Sequence, residues 1–382
     1  MKGIIVLGAG LVGGPMALDL AGDEGFDITV ADVHEAALTR LMARATASRL
    51  TTRKADLSDR DELSALVANF DMVVNALPGF MGFETLRTVI EAGKDVVDIA
   101  FFPEDPFDLH DLAIENGVTA VMDCGVAPGM SNLLAAHSVS RLDSADTILI
   151  YVGGLPEVRQ GPWEYKAVFS PADVIEEYSR PARYIENGQM VIRPALSEPE
   201  LCDFPGIGTL EAFNSDGLRT LADTLDVRNM KEKTLRYPGH IDKVAALRDT
   251  GFFSKEPIEV GGVKIVPLDF TSSLLFHEWE MKPGEGDITV MQIITEGMKE
   301  GKRTRIVYDL LDRFDAESDI HSMARTTGYT ATMTVRLLSE GLYSEKGISP
   351  PEHIGWHPEC VEFILEGLRK RGVEYRETIT TL

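Results

Sequence analysis

Two aspartates each close an apolar run that reads as a strand: Asp98 after Asp95-Val96-Val97, and Asp123 after Thr119-Ala120-Val121-Met122. A carboxylate at the end of a buried strand can take up a proton or hold a cation, and it can equally close the turn that follows. Further on, Arg236 and His240 bracket Tyr237-Pro238-Gly239. A guanidinium matches a carboxylate with a forked pair of hydrogen bonds. A histidine beside a Pro-Gly turn can serve as a base, bind a carboxylate, or only satisfy the turn's backbone. Glu211, inside Leu210-Glu211-Ala212-Phe213, is an acid able to recognise an ammonium, and Tyr165 and Lys166 follow Trp163 in an expected loop. Lys166 reads as surface-exposed. Pro128, Gly129 and Asn132 form a turn ahead of a helix, whose N–H groups suit either a carboxylate or helix initiation alone. Cys124, beside that turn, reads as a small buried filler.

Such residues need a scaffold, and the first thirty-two residues supply its most specific part. An apolar run, Ile4 to Leu7, meets Gly8-Ala9-Gly10-Leu11-Val12-Gly13, passes into a helix-period segment and returns as Ile28 to Ala31, ending in Asp32. That is the βαβ pattern of dinucleotide binding. Gly8 permits the tight turn, Gly10 lets backbone approach a pyrophosphate, Gly13 lets helix pack on strand, and Leu11 and Val12 complete the loop at the helix N-terminus. Asp32, nineteen residues after Gly13, can accept hydrogen bonds from both ribose hydroxyls. A 2′-phosphate would be repelled there, so NAD is expected in preference to NADP, with His34 and Arg40 the residues that could reverse this. Asp56, after the third strand, suits an adenine contact or a helix N-cap. The fourth strand breaks at Pro78, and the loop holding Asn75, Leu77 and Pro78 is where the nicotinamide half is expected.

The remaining helix- and strand-period segments, among them a helix over 35–47, complete six βα units, which predicts a Rossmann-type doubly wound parallel sheet over residues 1–124. From about residue 145 the runs alternate and carry hairpin signals at Gly261-Gly262 and Lys299 to Lys302, which predicts a mostly antiparallel α+β domain over 125–325. Residues 326–382 read as a helical segment returning to the domain interface. With 382 residues, 44% hydrophobic and 26% charged, two packed domains are expected rather than disorder. A net charge of −24 disfavours nucleic acid and anionic membrane as partners. Three scattered cysteines give neither a disulfide framework nor a metal site. Without a signal core or an apolar run of spanning length, a cytoplasmic protein is expected.

The stretch 123–132, DCGVAPGMSN, together with Trp163-Glu164-Tyr165-Lys166, Gly208 to Phe213 and Lys233 to His240, resembles the saccharopine dehydrogenase-like family, and within it the lysine 6-dehydrogenases. The likeness runs on to Gly328-Tyr329 and Pro350-Pro351-Glu352. It implies an oxidoreductase using NAD(P) at a C–N bond of an amino acid, in a cleft between a Rossmann and an inserted domain, as a homodimer. The expected reaction is oxidative deamination of lysine's ε-amine, with a saccharopine reductase acting on a secondary amine as the alternative. A nucleotide sensor that has lost catalysis belongs to a different class that fold alone does not exclude. Deamination needs a neutral amine, a base to keep it so, and anchors for the α-carboxylate and α-ammonium groups. A site for saccharopine, with its three carboxylates, should instead gather several cations from Arg159, Arg180, Arg183, Arg193 and Arg236.

Overall fold

The computed structural model describes residues 1–46 and 48–382. The chain divides into two units, Met1–Ser140 with Ala324–Glu374, and Arg141–Met323 with Tyr375–Leu382. The first holds strands β1 (Lys2–Leu7), β2 (Phe26–Asp32), β3 (Leu50–Lys54), β4 (Met72–Asn75), β5 (Asp95–Asp98) and β6 (Thr119–Val121). With Gly347–Ile348 added beyond β6, they form a seven-stranded parallel sheet in the order Gly347–Ile348, β6, β5, β4, β1, β2, β3. Crossover helices cover the faces of such a sheet, which is why Ile4, Ile5, Val6 and Leu7 are all fully buried. The order reverses between β1 and β4, and their carboxyl ends mark the ligand crevice of a doubly wound sheet. The helix expected over 35–47 is observed as Glu35–Arg44; Ala47 lies outside the described residues.

The domain boundaries differ from the expected ones. The helix Met130–Ser140 is buried along nearly its whole length within the first unit, which moves the division from 124/125 to 140/141. Residues 324–374 are also part of that unit and not a separate third segment. Their anchor is Asp19 on the helix α1 (Gly13–Ala21), which accepts hydrogen bonds from Thr332 Oγ1 at 2.5 Å, Arg336 Nη1 at 2.7 Å and Arg371 Nε at 2.6 Å. Asp19 lies too far from these residues in sequence for its role to be read there.

In the second unit one path of strands runs Glu200–Phe204, Gly208–Asn214, Asn229–Arg236, Ser144–Pro156, Asp287–Lys299, Lys302–Arg313, Tyr375–Thr381, with Ala182–Glu186 and Gln189–Arg193 attached beside it. Every pairing is antiparallel except that of Asn229–Arg236 with Ser144–Pro156. Gly261-Gly262 and Glu300-Gly301, all at positive φ, make the two expected hairpin turns, the first of them in a separate two-stranded sheet. Glu211 pairs directly with Arg236, and Phe213 with Thr234. Side chains alternate along a strand, so Glu232, Thr234 and Arg236 share a face with Phe213. That face packs on Tyr165, Tyr178, Ile241 and Trp279, while Leu210, Ala212 and Leu235 fill the core behind the sheet. Among the described residues no helix is long and apolar enough to cross a membrane.

Candidate active site

In the first unit the glycines stand where their lack of a side chain is required. Gly8 has φ +101° and an added Cβ would lie 2.9 Å from the Ala76 carbonyl oxygen, while a Cβ on Gly13 would lie 2.1 Å from the Gly8 oxygen. Gly10 differs: a Cβ there would meet no protein atom within 4 Å. This open backbone is followed by exposed Leu11, half-buried Val12 and the start of α1, which has neither a side-chain cap nor an acid in its first turn. A bare helix N-terminus behind an open glycine is a fit for a pyrophosphate.

The Asp32 carboxylate is fixed from two sides. Oδ2 accepts from Ala9 N at 2.8 Å and Oδ1 from His34 N at 2.7 Å. The acid therefore ties the glycine loop to the end of β2. Next to it, register places Lys54 opposite Asp32 and Arg53 opposite Ala31. Sequence reasoning named His34 and Arg40 as cations that could meet a 2′-phosphate and passed over this pair, whose signal is the basic end of the third strand. Asp56 is not the helix N-cap. Its Oδ1 takes Ser58 N and Ser58 Oγ, which hold its carboxyl below the usual range, and the helix that follows is capped by Asp59.

At the carboxyl ends of β4 and β5, fully buried Asn75 donates from Nδ2 to Asp98 Oδ2 at 3.0 Å and accepts Leu77 N on Oδ1. Asp98 Oδ1 accepts Ala100 N at 2.7 Å. The amide of Asn75 is thus spent on shaping the loop to Pro78, and Asp98 closes its own turn while being buried completely. Burial, with Asp123 adding repulsion, pushes the Asp98 carboxyl up to about 7. Asp123 is itself buried, at φ +51°. Burial raises the neighbouring Cys124 thiol to about 12, and its Sγ donates to Thr334, so Cys124 is a core residue.

The turn at 125–132 is closed on itself, and this corrects its expected role as a carboxylate site. Gly129 N points to Asn132 Oδ1, Met130 N to Gly125 O and Ser131 N to Val126 O. The carbonyl of Pro128 takes Gly125 N, and buried Asn132 donates to Glu352. Lys166 is likewise not a surface residue: its Nζ donates to the Glu280 carbonyl at 2.9 Å and lies 3.7 Å from Glu285.

The second unit brings Tyr165, Arg236 and His240 together, with Glu211 at its margin. Arg236 is 2% exposed; Nε donates to Tyr178 Oη at 3.0 Å, Nη2 to Glu177 at 2.6 Å and Nη1 to the Leu235 carbonyl at 3.0 Å. Its guanidinium stacks on Tyr165, 4.6 Å from the ring centroid. Glu211 accepts Gly239 N at 3.0 Å and so holds the turn between Arg236 and His240. His240 is 1% exposed, with Nδ1 3.0 Å from the Trp163 carbonyl and Nε2 3.0 Å from Tyr178 Oη. Burial, followed by the charge of Arg236, lowers it to about 3. With both ring nitrogens engaged inside the unit, His240 is a neutral positioning group, which corrects its expected role as a base. Glu177 and Tyr178 were missed in the sequence, since they sit in an ordinary helix (Pro171–Ser179) with no motif.

Strand order and glycine loop define an α/β dinucleotide-binding protein joined to a second, mixed-sheet unit. Residues 4–121 match the saccharopine dehydrogenase NADP binding domain and residues 125–373 the saccharopine dehydrogenase C-terminal domain. The chain belongs to the saccharopine dehydrogenase family, and its first unit carries a nicotinamide-nucleotide-binding domain. It is 27% identical over 270 residues to the saccharopine dehydrogenase [NADP(+), L-glutamate-forming] of Pyricularia oryzae, a match covering 67% of this chain but only 59% of that enzyme. With the carboxynorspermidine synthase of Vibrio alginolyticus it shares 23% identity over 93% of each chain. In fold it is similar to the apo saccharopine dehydrogenase (L-Glu forming) of Saccharomyces cerevisiae, with a TM-score of 0.81, 20% identity and full coverage of both chains.

Proposed function

We propose that the protein is a nicotinamide-dinucleotide-dependent oxidoreductase acting at a C–N bond of an amino acid, and that its reaction is oxidative deamination of lysine's ε-amine to the semialdehyde with release of ammonia. The carrying observation is the pairing of five of the second unit's arginines. Arg159 faces Glu164, Arg180 Glu176, Arg183 Asp216, Arg193 Glu198 and Arg236 Glu177. A site for three carboxylates would need several cations left to the ligand. With these five cations answered by acids of the chain, a substrate with one carboxylate and a cationic far end is the better fit.

The nucleotide, held by Gly8 to Gly13 and Asp32, supplies the acceptor for a hydride from the carbon bearing the amine. Arg236 is the anchor for the α-carboxylate, and Glu211 and Tyr165 line the amino acid beside it. Lysine's ε-amine has a free pKa near 10.4, so removing its proton at pH 7.5 costs about 4 kcal/mol. An alkaline optimum follows. NAD is the favoured dinucleotide because the Asp32 carboxylate, held rigidly by two backbone N–H groups, stands where a 2′-phosphate would bring further negative charge. A homodimer in the cytoplasm is part of the same reading.

A second reading has its own support: the Vibrio relative that matches this chain over nearly its whole length is named for making carboxynorspermidine, and the fungal one for saccharopine. Action on a secondary amine is the corresponding proposal. Absorbance at 340 nm decides between them when protein at about pH 9–10 is mixed with NAD or NADP and, in turn, lysine or saccharopine. NADH from lysine with NAD is the expected result. A signal from saccharopine alone transfers the assignment to the secondary amine, and silence with every amino acid refutes both.

A further inference from the structure

We infer that Tyr178 is a positioning residue: it holds the guanidinium of Arg236 in the one orientation that presents its unspent N–H bonds to a ligand carboxylate. This rests on the reading of Arg236 as the carboxylate anchor.

The orientation follows from which atoms can only donate and which can only accept. The Trp163 carbonyl only accepts, so the proton of neutral His240 sits on Nδ1, 3.0 Å away. His240 Nε2 is then a bare lone pair, and the Tyr178 hydroxyl, at 3.0 Å, must donate to it. Its oxygen is left to accept Arg236 Nε–H, also at 3.0 Å. The guanidinium never loses its protons at any ordinary pH. A line of three hydrogen bonds therefore has a single direction, from Arg236 through Tyr178 and His240 to Trp163. Glu177, the residue before Tyr178, grips Nη2 at 2.6 Å, and the Leu235 carbonyl takes Nη1. A guanidinium has five N–H bonds, of which three are spent in this way, leaving one on each Nη. Beneath it the ring of Tyr165 blocks one face. His240 thus acts through Tyr178, and neither need touch the ligand.

Tyr178→Phe removes one oxygen and leaves both Arg236 Nε and His240 Nε2 without a partner. The test compares wild type, Tyr178→Phe, Arg236→Lys and the double variant. In protein labelled with 15N-arginine, exchange of the Arg236 Nε–H with solvent is expected to quicken at least tenfold in Tyr178→Phe at an unchanged far-ultraviolet spectrum. Unchanged exchange overturns the inference whatever the substrate proves to be. In the kinetic arm with lysine and NAD, Tyr178→Phe is expected to raise KM about tenfold with a much smaller effect on kcat, and to add nothing in the Arg236→Lys background. A KM unmoved by Arg236→Lys refutes the anchor reading itself. A KM raised by Arg236→Lys but untouched by Tyr178→Phe refutes the positioning role alone. A merely structural tyrosine would lower thermal stability and leave both readouts in place.

Discussion

Glu232 ties the stability of the second unit to the pH at which the enzyme is proposed to work. It is 5% exposed on the strand Asn229–Arg236, with Oε2 accepting Ser215 Oγ at 2.6 Å. Burial, reinforced by the negative charge of Glu177 and Asp216, pushes its carboxyl up to about 8, against hydrogen bonds from Ser215 and Gly217. Below about pH 4.5 the folded and unfolded chains both keep the proton and the group has no effect. Between there and pH 8 the folded state holds a proton that the unfolded state has released, so stability falls as pH rises, and above pH 8 the full cost of a buried carboxylate is present. About 3.5 pH units at 1.36 kcal/mol each set a ceiling of about 5 kcal/mol, of which about 4 falls between pH 5 and pH 9. Glu232→Gln keeps a side-chain oxygen for Ser215 and Gly217 and cannot ionise. Urea unfolding followed by circular dichroism at pH 5, 7 and 9 should show the variant gaining on wild type by up to about 4 kcal/mol across that range. The wild-type slope should be steepest between pH 5 and pH 7, where the folded chain also keeps on Asp98, raised to about 7, a proton that the unfolded chain has released. Parallel pH profiles for the two proteins would refute the buried-acid assignment.

Adjacent glycines at the start of α1 should respond to alanine with opposite sign. At Gly13 the new Cβ would lie 2.1 Å from the Gly8 oxygen, so Gly13→Ala should destabilise by about 1–3 kcal/mol and weaken dinucleotide binding. At Gly14 the nearest atoms are 3.8 Å away, and Gly14→Ala should stabilise by about 0.5–1 kcal/mol, both read from denaturant midpoints. Asp32→Ala removes the acceptor of Ala9 N and the expected ribose contact, and calorimetry should record a loss for NAD at least tenfold greater than for NADP. Equal losses would mean that Asp32 holds the loop without reading the ribose.

What the sequence disclosed and what it concealed divides by distance along the chain. The glycine loop is legible because its constraints are local: Gly13 meets Gly8, and Asp32 reaches back to Ala9. The alternating runs and the turn at Glu300-Gly301 forecast the second sheet for the same reason, apart from the one parallel pair, which requires a crossover, while the Gly261-Gly262 turn joins a separate two-stranded hairpin. His240 was misread as a base because its partners, Trp163 and Tyr178, lie 77 and 62 residues away. A motif records that a histidine is needed at a turn and is silent on what its ring nitrogens meet. Asn132 likewise finds Glu352 across 220 residues, so a turn that looked open to a ligand is closed. The division at 140/141 rather than 124/125 follows from the burial of Met130–Ser140, which composition does not register.

An always-charged arginine at one end and a backbone carbonyl at the other fix the protons of Tyr178 and His240, and burial drives the two side chains to about 12 and about 3. Neither changes its protonation across the range in which an enzyme is assayed. The line from Arg236 through Tyr178 to His240 is therefore a fixed template, while burial raises the carboxyl of Asp98 to about 7 and that of Glu232 to about 8, and raises that of Glu177 beside Arg236. Glu232 acts on stability and Asp98 stands beside Asp123 at the strand ends of the first unit. On the proposed reaction an alkaline rise in rate would belong to the substrate's nitrogen, and its ceiling would be set by how long the second unit withstands an ionised Glu232.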